Sequence, residues 1–219
     1  MNAVYEGLVD LILGELSEVA QYDITFSLKE FKVEDKEIQL SVGNVQTVFN
    51  REETDDNNYY LFKHTVNIIT NMEDIRKHNK WFCESERVFD ERFKEYIENM
   101  GIDYTDEVKF IITVMHELGH IKLAELYRRN GMAESLLHMI KMSRQQVLLA
   151  FGTPSVKRIR QTEDIDLRYH LDFNELNADN FVYVNFPRVW KQVKHEIEEM
   201  QTKRRRDFLD RMTQGYEKV

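Results

Sequence analysis

The period of the apolar positions changes near residue 71. Over the first twenty residues, Val4, Leu8, Leu11, Ile12, Leu16 and Val19 recur at helical spacing and predict an N-terminal helix. Extended segments follow. In "YDITFSLKEF", Ile24, Phe26 and Leu28 fall on one side of a strand. "EIQLSVGNVQTVFN" carries Gly43-Asn44, the chemistry of a tight turn between two strands. "ETDDNN" reads as a polar loop and "YYLFKHTVNIIT" as a further strand. Its second half, "HTVNIIT", fits an interior strand and a sheet edge along a cleft equally well, and His64 within it reads as a surface residue.

From Met72 onward the period is helical. "ESERVFDERFKEYIENMG" puts Val88, Phe89, Phe93, Tyr96, Ile97 and Met100 on one side, and Gly101 supplies the stop. "TDEVKFIITVMHELGHIKLAELYRRNG" reads as one long helix. Thr105 is its N-cap, Asp106 and Glu107 occupy its first turn, Arg128 and Arg129 its last, and Gly131 lies just past the end. Further helices are predicted over 133–150, 172–185 and 188–212. The expected fold is α+β in one domain over 1–219. An N-terminal helix and a small antiparallel or mixed sheet (1–71) precede a mostly helical body (72–219).

Composition narrows the function. With 42% hydrophobic and 32% charged residues, the 219-residue chain has material for a real core. A net charge of -9 argues against direct nucleic-acid binding, which needs clustered Lys and Arg. The single cysteine, Cys83, has no partner for an internal disulfide, which fits a reducing compartment, and it reads as a small packed hydrophobe. No secretion signal or membrane-spanning run is visible. The expectation is a cytoplasmic protein with no membrane association.

The chemistry concentrates in "VMHELGHI". His116 and His120, four apart on a helix, aim their rings at one point. Glu117 sits about 100° around from His116, placed to reach a water bound there and not to share a metal. The plain alternative is two histidines in an ordinary charged helix. The apolar lead-in "VKFIITVM" weighs against it, because a buried helix must find partners for these polar groups, and a metal supplies them. Two histidines do not complete a zinc site. An extended motif with a third histidine fails, since Leu123 and Leu126 stand where Gly and His would be needed, and Glu125 falls on the wrong side of the helix. The best third ligand is Glu175 in "DFNELNADNFVYVNF", whose Phe173, Leu176, Phe181 and Val184 suggest a helix. Asp179, four residues on, can accept the second N–H of a ligating histidine. Gly119 and Ala178 are small enough for the two helices to approach closely. Taken alone, Glu175 and Asp179 read as a solvated acidic face.

"FIITVMHELGHIKL" followed by "NELNADNFVY" resembles the gluzincin-type zinc peptidases, and among them most the ImmA/IrrE family of cytoplasmic proteases. The resemblance covers residues 104–125 and 172–186, with a loosely similar strand "HTVNIITN". It implies a Zn2+-dependent endopeptidase in which His116, His120 and Glu175 hold the metal, Glu117 is the general base and Asp179 supports a ligand. It also implies a protein substrate, with a DNA-binding regulator as a candidate. The chain departs from the family pattern in the 54 residues between His120 and Glu175, which point to an inserted helical section over 130–171. It departs also in the long stretch between Asn71 and the motif helix, and in showing no helix-turn-helix domain.

Lesser features carry less. Tyr169 and His170 precede the Glu175 helix and are placed to donate to an oxyanion, against the simpler reading of a loop without a role. His138, His195 and the basic run from Lys203 read as surface. Two other functions compete with the protease: a binding or regulatory module with little turnover on a protease scaffold, and a helical interaction protein in which the histidines are incidental. Oligomeric state is not legible.

Overall fold

The long helix expected around the histidine motif is the hub of the molecule. In the computed structural model, which describes residues 2–30, 43–54, 57–78, 80–136, 138 and 173–216, it spans Asp106–Arg129 and is buried almost continuously from Glu107 to Glu125. A helix this apolar all round has to be surrounded. In chain order the elements are α1 (Asn2–Glu15), α2 (Ser17–Ala20), β1 (Ile24–Lys29), β2 (Gly43–Thr54), β3 (Asn57–Ile69), α3 (Met72–His78), α4 (Lys80–Asn99), α5 (Asp106–Arg129) and α6 (Phe173–Tyr216). The fold is α+β, with a three-stranded mixed sheet near the N-terminus and helices around it. None of the described helices is long and apolar enough to cross a membrane.

The ends of α5 follow the sequence. Thr105, in extended conformation, accepts a hydrogen bond from the Val108 N–H. Gly131, just beyond the helix, has φ of 68°, and Gly101, after α4, has φ of 72°; both lie in the left-handed region that glycine reaches without steric cost. Acidic residues in the first turn and arginines in the last suit the helix dipole.

The sheet order is β1-β3-β2, with β1 parallel and β2 antiparallel to β3. "HTVNIIT" is therefore the interior strand, and the edge reading falls. Strand period explains what β3 does: Phe62, His64, Val66 and Ile68 are buried on alternate positions, on the face that meets α5. Gly43-Asn44 is not a turn. Gly43 pairs with Ile68 and Asn44 with Asn67 in a strand that runs unbroken to Thr54 opposite Asn57, so the hairpin connection lies there. The apolar stripe of α1 is Tyr5, Leu8, Val9 and Ile12, continued by Leu16 just beyond it, and Val4 and Leu11 are exposed.

A polar cluster ties α3 and α4 to the start of α5. Arg76 donates to both oxygens of Glu86 and of Asp106, and buried Lys109 bridges Glu86 and Asp90. Tyr104 donates to Asp90. Each of these charges is met by an opposite one, which burial demands. Cys83 is half-buried, and its thiol faces the Arg76 carbonyl at 3.4 Å.

The two helices expected around Pro187 are one, and the proline lies inside it. Proline has no N–H for the Tyr183 carbonyl one turn back. Tyr96 of α4 supplies the missing donor: its hydroxyl is 3.0 Å from that oxygen. The buried stripe Ala178, Val182, Phe186, Val189, Val193 and Ile197 continues straight through the proline, so packing against the core holds the helix together. Leu176 and Val184, two of the apolar positions that suggested this helix, are exposed. Of the section 130–171, a helical turn at 133–136 is seen, and residues 139–171 lie outside the described residues.

Replacing Tyr96 by Phe removes only the donor and keeps the ring. The expected loss is about 1–2 kcal/mol, the cost of an unmet buried carbonyl, measured as a lower urea midpoint at unchanged slope.

Candidate metal centre

Helix α5 and helix α6 touch at one point with no side chain between them. A Cβ on Gly119 would lie 2.8 Å from the Ala178 Cα, 3.2 Å from its carbonyl oxygen and 3.1 Å from the Phe181 Cβ. The close approach anticipated from these two small residues is present. It brings two pairs of side chains together: His116 and His120 of α5, and Glu175 and Asp179 of α6.

His116, His120 and Glu175 converge, with one ligand-type atom of each lying within 4.8 Å of the others. The Glu175 carboxylate straddles the two rings. One oxygen is 3.4 Å from His116 Nε2 and the other 3.4 Å from His120 Nε2. A tetrahedral ion with bonds of about 2.0–2.1 Å has ligand atoms roughly 3.3 Å apart, so these separations suit a small cation between the groups. Glu117 lies alongside, its carboxylate 3.8 Å from His116 Nδ1. Phe89 and Phe93 stand edge-on to the His116 ring and form an apolar wall.

Hydrogen bonding separates this site from an ordinary buried histidine, and the chain contains one for comparison. His64 was expected on the surface but is 1% exposed. Its Nδ1 is 2.9 Å from the Thr47 hydroxyl and its Nε2 3.1 Å from Glu125, whose other oxygen accepts from Arg128. Glu125, on the face of α5 away from the metal residues, thereby anchors the sheet to the helix. Both nitrogens of His64 are satisfied as a neutral ring. His116, equally buried, has no aligned hydrogen bond at either ring nitrogen among the described residues. Since a buried polar group without a partner costs about 1–3 kcal/mol, an ion is the natural missing partner. Charge agrees. Glu117, Glu175 and Asp179 are all buried, and the Arg92 guanidinium faces Glu175 and Asp179. Among the described residues, and with both rings neutral, three carboxylates against this one cation leave two negative charges, which a divalent ion would balance.

The electrostatics carry the same signature. Burial alone would lower the His116 pKa, but Asp179, Glu117 and Glu175 outweigh it and hold the value well above the ordinary one. Burial lowers His120, and the carboxylates do not overcome it. Burial would raise Glu175, but His116, His120 and Arg92 hold it well below the usual carboxylate range. Without an ion, a proton on His116 meets part of the charge. Two imidazoles and a carboxylate are a donor set suited to zinc.

Some expectations change in detail. Asp179 does not reach the far nitrogen of a histidine. It lies 3.2 Å from Nε2 of His116, the nitrogen that Glu175 also faces, because a spacing of four on α6 delivers both carboxylates to the same ring edge. Gly43 belongs to the site: a Cβ there would lie 2.6 Å from Thr113 Cγ2 and 3.1 Å from Glu117 Oε1. A glycine within a strand often marks such a close approach. Arg92 was not anticipated, since nothing in "FDERFKEY" distinguishes it from a surface arginine. Tyr169 and His170 lie outside the described residues. His138, His195 and the side chains of Lys203, Arg205 and Arg206 are exposed, as expected.

Comparison with protein-family models, with curated proteins and with solved structures gives no match.

Two outcomes follow. Gly119→Ala forces α5 and α6 apart and should cost roughly 1–3 kcal/mol in urea unfolding while lowering bound zinc per chain, measured by elemental analysis. His64 yields a pH dependence. Burial outweighs Glu125 and lowers its pKa from 6.5, so below that value the unfolded chain takes up a proton that the native ring does not. Stability from this residue is therefore lost as pH falls from about 7 to about 5, and the pH slope of the urea midpoint should be shallower in His64→Gln than in wild type over that range.

Proposed function

We propose that this chain is a zinc-dependent endopeptidase that cleaves a specific intracellular protein. The observation that carries the proposal is the convergence of His116, His120 and Glu175 beside Glu117 in a buried, negatively charged site, where neither His116 nitrogen has an aligned hydrogen bond among the described residues. A zinc ion held by these three residues would supply a Lewis acid and lower the pKa of a bound water. The carboxylate of Glu117 takes up the proton from the attacking water and returns it to the leaving amine. Glu117 is buried and stands against the backbone of Gly43, where an added Cβ would lie 3.1 Å from its Oε1.

The sheet offers a place for the peptide. Strand β2 is an outer strand, its other side pairs with no strand among the described residues, and its Gly43 end lies against Glu117. An extended substrate added along that edge would carry its backbone past the general base. The choice of a peptide substrate also rests on the likeness of the two motif segments to gluzincin-type peptidases of the ImmA/IrrE kind. The net charge of -9 favours a basic partner, and a DNA-binding regulator is one such protein. A cytoplasmic setting is part of the same proposal.

The test pairs metal analysis with cleavage. Wild type should hold one zinc per chain and generate new N-termini in a proteome-derived peptide library, read by mass spectrometry. Glu117→Gln should keep its zinc and lose at least about 10²-fold in cleavage. His116→Ala and Glu175→Ala should lose the zinc itself. Zinc-loaded wild type that produces no new termini, or a Glu117→Gln variant that cuts as wild type does, defeats the proposal.

A further inference from the structure

Asp179 borders the metal site without belonging to the three residues that converge there. Its Oδ1 is as near to His116 Nε2, at 3.2 Å, as Glu175 is. With Asp179 as a fourth protein ligand the site would be of the structural kind, with no position for water. Something must hold this carboxylate back. Arg92 of α4 does so geometrically: its Nη1 donates to both oxygens of Asp179, each at 2.7 Å, while remaining 4.0 Å from Glu175. The same cation engages one carboxylate tightly and the other only at long range.

Arg92 is not a mobile surface arginine that happens to lie nearby. Its side chain is 16% exposed, and its guanidinium carbon lies 5.2 Å and 5.4 Å from the ring centres of Phe89 and Phe93. Those two rings also wall His116. The backbone is fixed too, because the Tyr183 hydroxyl of α6 donates to the Arg92 carbonyl at 2.7 Å. Tyr96, one turn along α4, returns the contact to the Tyr183 carbonyl. The arginine is thus held to the very helix that carries Asp179.

We infer that Arg92 is a positioning residue that keeps Asp179 out of the metal's coordination shell and so keeps a position open for water; this rests on the zinc-site reading above. It keeps Asp179 from ligating by engaging both of its oxygens from one side. Releasing Asp179 should convert an open three-ligand site into a closed four-ligand one.

The test uses the full chain substituted with cobalt(II), whose visible absorption reports coordination, with acetohydroxamate as the probe for an open position and EDTA as the metal acceptor. Wild type is measured first. If it takes up neither zinc nor cobalt, the zinc-site reading itself has failed, a result separate from any variant. With metal bound, acetohydroxamate should shift the wild-type spectrum. Arg92→Gln should lose that shift and release metal to EDTA on the order of tenfold more slowly. Arg92→Lys, which keeps a cation, should behave as wild type, and Arg92→Gln with Asp179→Asn should regain the shift. An Arg92→Gln protein that responds like wild type, or that gives up its metal faster, overturns the inference. Should Arg92→Gln fail to fold, Asp179→Asn decides. Retention of metal and of the acetohydroxamate shift, with affinity lowered no more than about tenfold, supports the inference. A loss on the order of a hundredfold shows that Asp179 ligates despite Arg92 and overturns it.

Discussion

There is no room for a side chain between Gly119 and Ala178, and the rest of the site depends on that contact. The two residues occupy matching places in their segments. His116 precedes Gly119 by three and His120 follows it by one; Glu175 precedes Ala178 by three and Asp179 follows it by one. On a helix those offsets fall about 60° and 100° around from the contact, on the same side of it. Wherever the backbones touch, the four side chains must meet as well. The small residues therefore do more than permit packing, since they set the distance across which imidazoles and carboxylates face each other. A methyl group on Gly119 would press on the Ala178 backbone and change that distance.

A third helix fixes the second of these faces. Pro187 interrupts the hydrogen bonding of α6 and leaves the Tyr183 carbonyl without its usual donor. Tyr96 donates to that oxygen, and the Tyr183 hydroxyl donates in turn to the Arg92 carbonyl. A backbone defect in one helix thus becomes the docking point of another. Arg92 projects from that docked segment onto Asp179. The proline, which by sequence reads as a break, lies in a chain of contacts that ends at the metal residues.

How much of this was legible follows from which interactions are local. The motif helix, its N-cap Thr105 and its terminal Gly131 are set by neighbours within a turn, and all three were readable. Glu175 and Asp179 were found because the histidine pair demands a carboxylate and a small residue lies between them. The errors come from non-local pairing. Gly43-Asn44 has turn chemistry, but register against Ile68 and Asn67 overrides it. His64 looked exposed because strand alternation alone does not say which face meets α5, and its partners Thr47 and Glu125 come from two other elements. Arg92 could not be singled out, since its meaning lies wholly in residues 87 positions away.

The distribution of charge along α5 explains why the histidine turn is the place for an ion. This helix buries Lys109 and Glu125 as well as His116 and Glu117. Near its start, Lys109 meets Glu86 and Asp90; near its end, Glu125 meets His64 and Arg128. At those ends the charged groups meet protein partners of opposite charge. In the middle, Glu117, Glu175 and Asp179 crowd around rings that carry no formal charge when neutral, and Arg92 offsets one of the three. Burying unbalanced charge is among the most costly things a fold can do, whereas a fully apolar helix–helix contact would have cost nothing of the kind. Such a turn is suited to a ligand of opposite charge, and its two imidazoles and carboxylate are a donor set that a divalent metal could take.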